Sequence, residues 1–140
     1  MNSEDDGWIV AQARHPLHGD IVVRLNDGAD TVESIAAFPM RLGVAVPLAD
    51  PSGFVLIDPL EQQIRELVEA PGVGMLVAVI SGATAPFFRE VICYVRASFD
   101  VGNFRDALSR RLPHLEIQTY TERDLEWDAF RSLKNSGSSG

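Results

Sequence analysis

The sequence predicts an α+β fold, a largely antiparallel sheet with helices packed on it, and three observations carry that prediction. Asp58-Pro59-Leu60-Glu61 opens a stretch with helical spacing. Met75–Ile80 and Arg89–Phe99 are two long β-rich runs joined by a connection too short for a crossover, so they should pair antiparallel. Two more amphipathic stretches then bracket one further strand. The order helix, strand, strand, helix, strand, helix demands a sheet covered by helices.

Taken in order, Met1–Asp6 are polar and acidic and are expected to fray, leaving a single domain over residues 7–134. Trp8 to Arg14 sets Trp8, Val10 and Gln12 against Ile9, Ala11 and Ala13 and reads as a first strand. His15-Pro16-Leu17-His18-Gly19 breaks the run, and Asp20 to Leu25, rich in Ile and Val, reads as a second. Asn26-Asp27-Gly28 supplies turn chemistry. Thr31 to Phe38 stays open between helix and irregular chain, because Val32, Ile35 and Ala36 have helical spacing over a very short run. Arg41 to Leu48 reads as a third strand, with Pro39 and Pro47 near its limits, where proline is tolerated.

Asp58 is read as an N-cap, Pro59 as the first helical residue and Glu61 as the partner in a capping box. Leu60, Ile64, Leu67 and Val68 form the inner stripe of a helix over Pro59–Ala70, which Pro71-Gly72 ends. Met75–Ile80 is a continuous apolar run suited to a central strand buried on both faces. Arg89–Phe99 alternates Val91, Cys93, Val95 and Ala97 against Glu90, Ile92, Tyr94 and Arg96. Asn103 is read as the cap of a helix over Phe104–Leu112, stopped by Pro113. Leu115–Thr121 is the last strand, with Leu115, Ile117 and Thr119 on one face. Asp124 is read as the cap of a closing helix over Leu125–Leu133 whose inner stripe holds Trp127, Phe130 and Leu133. Asn135–Gly140, NSGSSG, reads as a flexible Gly/Ser tail.

Composition narrows the function classes. The chain of 140 residues is 46% apolar, enough for one real core. Its formal net charge of -8 argues against nucleic acid, whose binding rests on Lys and Arg releasing counterions. No apolar run approaches the roughly 20 residues of a membrane span, and MNSEDDGW has neither the basic nor the apolar region of a signal peptide. The expected location is the cytoplasm. Cys93 stands alone in EVICYV, so no intramolecular disulfide forms and a buried, inert thiol is the reading.

Candidate chemistry is thin. His15 and His18 flank Pro16, with Asp20 the nearest further ligand, short of the three or more that zinc requires. Neither VISGA nor Gly72-Val73-Gly74 makes a nucleophile elbow or a phosphate cradle. No catalytic residue, cofactor or metal is therefore assigned. Arg89, Glu90, Tyr94 and Arg96 place charge and a hydroxyl on an otherwise apolar strand and form the candidate binding surface, if the face shared by Glu90, Tyr94 and Arg96 is the open side of the sheet. The plainer reading, a cross-strand ion pair and a satisfied tyrosine, is favoured. Asp58, Asp124 and Trp127 are assigned structural roles as two caps and a core aromatic.

The pattern GMLVAVISG…FREVICYVR…FRDAL…DLEWDAFRSL, with Arg89 and Tyr94 on one strand and Asp124 three residues before Trp127, resembles an uncharacterised bacterial family, domain of unknown function 695. That family is similar to the ferredoxin-like domain in the inhibitor of ribonuclease E, an acidic protein-binding regulator. The resemblance implies a ferredoxin-like unit with helices on one face of an antiparallel sheet, here with extra N-terminal strands. It implies no catalytic residue. The leading expectation is a non-catalytic protein-binding or regulatory domain. Its rival is a small-ligand-binding or enzymatic domain with a pocket over the Arg89, Tyr94, Arg96 strand. An open sheet edge or face further suggests a homodimer.

Overall fold

A computed structural model describes residues 8–15, 19–57, 59–82, 84–85 and 87–138. The expectations for Met1–Asp6, for the His15/His18 pair, for the Asp58 cap and for the last two residues of the tail lie outside what is described. The elements in chain order are β1 (Trp8–His15), β2 (Gly19–Asn26), α1 (Val32–Ala37), β3 (Met40–Leu48), α2 (Gly53–Leu56), α3 (Pro59–Val68), β4 (Gly74–Gly82), β5 (Phe87–Val95), α4 (Val101–Arg111), β6 (Gln118–Arg123) and α5 (Asp128–Ser138). The six strands form one sheet in the order β1-β2-β4-β5-β3-β6, antiparallel at every pairing. The fold is α+β, and β4 and β5 pair antiparallel as the short connection between them requires.

Several boundaries move, each for a local reason. Thr31 caps α1 by accepting from the Ser34 amide, which settles the ambiguous segment as a short helix. β5 ends at Val95, because the Phe99 amide donates back to the Arg96 carbonyl and turns the chain. Asp100, rather than Asn103, caps α4, its carboxylate accepting from the Asn103 amide. Leu115 and Ile117 precede β6 instead of forming it, yet both pack on the core. α5 begins at Asp128, three residues later than Asp124 as its cap would place it, and runs to Ser138, into the stretch expected to be a flexible tail.

Helices cover both faces of the sheet, not the one face that the resemblance implied. On one side Leu60, Ile64 and Val68 of α3 and Phe104 and Leu108 of α4 close over Leu42, Val44, Leu76, Val91 and Cys93. On the other, Trp127 and Phe130 close over Ile21, Val23 and Leu25 of β2 and over Ile92 and Tyr94 of β5, with Ile35 packed at the margin. The second layer exists because β2 carries its own apolar stripe, which must be buried against something. β4 serves both layers: Leu76 and Val79 face the first and Val77 and Ala78 the second, with a bulge between Leu76 and Ala78. Burial pushes the Cys93 thiol far above its ordinary range, which keeps it protonated. Among the described residues, no helix is long and apolar enough to cross a membrane.

Trp127 is the joint between the sheet and α5. Its φ of 58° lies in the left-handed region, which costs a residue with a Cβ roughly 1–2 kcal/mol. Full burial of the indole outweighs that cost: the ring stacks on Tyr94 at 4.2 Å, meets Phe130 edge-on at 5.8 Å, and its Nε1 donates to the Phe38 carbonyl at 2.9 Å. Trp127→Ala should therefore lose about 3–5 kcal/mol. Trp127→Gly, which removes the same ring but suits the backbone, should be about 1 kcal/mol more stable than the alanine variant. Chemical denaturation of both checks the pair, and equal midpoints would show that the left-handed conformation carries no penalty.

Candidate functional site

The four residues proposed on the β5 strand do not share one surface. Arg89 points to the α3 side, where its Nε donates to Ser81 Oγ at 3.2 Å and its guanidinium lies 4.0 Å from Glu61 and over the Phe54 ring. Arg96 lies past the strand end and is exposed. Tyr94 is fully buried beneath Trp127, so the face around it is closed by the start of α5 rather than open. Glu90 alone keeps the expected position, half-buried on the α5 side and partly accessible.

What buries Tyr94 also fixes α5. The Tyr94 hydroxyl donates to Asp124 Oδ2 at 2.7 Å. Asp124 also accepts from the amides of Asp128 at 2.8 Å and Ala129 at 3.1 Å, the first two of α5. Its carboxylate thus caps the helix from across a turn that the Trp127 amide closes on the Asp124 carbonyl at 3.1 Å. Arg41 of β3 approaches Asp124 at 3.7 Å and pairs with Glu122 of β6. Burial works to raise the Asp124 pKa, but the Tyr94 hydroxyl, the two amides and Arg41 together outweigh it and lower it. The same burial and the same carboxylate push the Tyr94 phenol well above its ordinary range.

Beside this network α5 leans over β1 and β2 and leaves the β3 and β6 part of the same face open, where Gln118, Tyr120 and Glu122 are exposed. There a hollow of about 310 Å³ has an aliphatic floor of Ile80 and Ile92 and an α5 wall of Ala129, Ser132 and Leu133. Its other wall is a polar relay across three strands. Tyr120 of β6 lies flat over Gly43 of β3, and its hydroxyl donates to Glu90 of β5. Only glycine permits this, since a Cβ at position 43 would fall inside the phenol ring. The Arg41 guanidinium sits 5.7 Å from the Tyr120 ring centre. Burial and the Glu90 carboxylate raise the Tyr120 phenol far above its ordinary range, so it stays a donor.

Sequence reasoning missed Arg41, Gly43 and Tyr120. Glycine inside an apolar strand is the one signal that pointed to them, because it marks a close approach. Among the described residues of the hollow, the phenol is bonded to the carboxylate and Ser132 is the remaining hydroxyl, while Ser81 Oγ and His114 lie elsewhere, the first bonded to Arg89 and the second exposed. Among the described residues, no three His, Cys, Asp or Glu side chains converge to hold a metal.

Two outcomes test this geometry. Because the Asp124 pKa is lowered, the charged form stabilises the fold above the ordinary value of 3.8 and that contribution is lost as pH falls through the folded value. Asp124→Asn should be less stable than wild type at neutral pH, with the gap closing below that value, as measured by urea midpoints across the acid range. Gly43→Ala should swing Tyr120 off the sheet while leaving stability within about 1 kcal/mol of wild type, since alanine suits a strand interior better than glycine. In ultraviolet titration, one of the two tyrosines should then ionise near the ordinary value of 10.0, where neither does in wild type. Comparison of the chain with protein-family models, curated proteins and solved structures finds no match in any of the three.

Proposed function

We propose that this is a non-catalytic domain that binds a partner protein through the open part of its sheet, at the hollow between α5 and Tyr120. The observation that carries the reading is the wall of that hollow. Its ionisable groups engage one another, Tyr120 with Glu90 and Arg41 with Glu122 and Asp124, an arrangement that suits recognition better than proton transfer. The net charge of -8 favours a basic partner surface, and location in the cytoplasm belongs to the same reading.

The ferredoxin-like expectation has support in the order β6-β3-β5-β4, with α3 and α4 on one side. That order interleaves two βαβ units, to which the β1–β2 hairpin, α1, α2 and α5 are additions. With that fold, the resemblance to domain of unknown function 695 and to the ribonuclease E inhibitor remains part of the proposal, as does a regulatory role. A second reading, small-ligand binding, is favoured by the volume of the hollow, which lies at the lower end of the roughly 300–1,000 Å³ of ligand sites.

Affinity capture from the native host's lysate with wild type and with Glu90→Arg tests the first reading. A partner retained by wild type and lost by the variant, at unchanged melting temperature, is the expected result. Identical captures would remove the hollow from consideration. Native mass spectrometry of protein purified from that host tests the second, by showing whether a small molecule is carried along.

A further inference from the structure

The hollow has a composition that selects among basic side chains. Its floor, Ile80 and Ile92, and the Leu133 wall are aliphatic, while Glu90 sets a carboxylate at the edge. Among the described lining residues Arg41 is the one cation, and it is already engaged by Glu122 and Asp124, so with Glu90 the local charge is negative. A long aliphatic stem ending in a cation satisfies both halves of such a site, the stem on the floor and the charge at the carboxylate.

Tyr120 decides which cation. Its hydroxyl donates to Glu90 Oε2 and takes one lone pair there, so the planar fork of an arginine would have to share that oxygen with the phenol. A compact ammonium needs only one acceptor and can approach the remaining lone pairs. We propose that the hollow accepts the side chain of a lysine presented by a basic segment of the partner protein. The proposal rests on the protein-binding reading above and deepens it by naming the group recognised. The volume fits one such side chain and not a large cofactor.

The test is a titration of the full chain with four blocked amino acids as probes: Nα-acetyl-lysine methylamide and its norleucine, arginine and Nε-acetyl-lysine counterparts. Methyl signals of Ile80, Ile92 and Leu133 in two-dimensional NMR report occupancy. Lysine should shift all three, and the uncharged probes and arginine should bind at least about tenfold more weakly, the scale of one charge-assisted hydrogen bond. Glu90→Gln, which keeps the shape and an acceptor for Tyr120, should erase the advantage of lysine. Norleucine or arginine binding as well as lysine would overturn the proposal, and so would the absence of any shift. If lysine fails while capture still depends on Glu90, the protein-binding site stands and only the recognised group is wrong. If capture also ignores Glu90, both readings fall.

Discussion

The carboxylate of Asp124 holds the second helical layer to the sheet. It accepts a hydrogen bond from a hydroxyl of β5 and two from amides of α5, with an arginine of β3 alongside. The helix start is thereby tied to two strands at once, and the indole of Trp127 is pressed onto Tyr94 by the turn between them. At 9% exposure the carboxylate is dry enough for each bond to be strong, and each unmade bond would be correspondingly costly. α5 then has little freedom in where it crosses the sheet, and the hollow inherits its α5 wall from that placement.

Helix α3, the pairing of β4 with β5 and the apolar alternation through Val91, Cys93 and Val95 were legible because each is set by local spacing. The α5 region was legible in composition but not in geometry. Asp124 and Trp127 read as a cap and a core aromatic on one helix, and both roles hold, but the cap acts across a turn whose left-handed residue is a tryptophan. Local propensity gives no reason to place a bulky side chain there, and the burial that compensates is tertiary. The candidate surface failed on the same ground. Alternation along β5 sorted Glu90 and Tyr94 onto one face, but whether that face is covered depends on a helix more than thirty residues away.

The two faces differ because β3 is asymmetric. Leu42, Val44 and Val46 fill one side, while Gly43 and Ala45 offer almost nothing on the other. A strand built this way makes a dense core beneath α3 and a depression opposite. Tyr120, from the neighbouring strand, takes up the space that β3 leaves vacant. Core and hollow are thus two products of one alternating stretch, and changing the small residues would alter the hollow while sparing the core.

The pairing of the first strands with the last helix also governs the order in which the molecule can become whole. Lys134 on α5 reaches the Asp27 carbonyl and Asp30 beyond β2, partners 107 and 104 residues back along the chain. At synthesis rates of about 5–20 residues per second, the β1–β2 hairpin therefore waits about 5–20 s before the helix that covers it exists. Through that interval Ile21, Val23 and Leu25 face water, or whatever apolar surface is near. The α3 and α4 layer closes over β3, β4 and β5 without that helix, so half the core can form while the other half is still exposed. Such a chain carries an uncovered apolar stripe until its last helix is made, for a time set by the rate of synthesis and not by the stability of the finished fold.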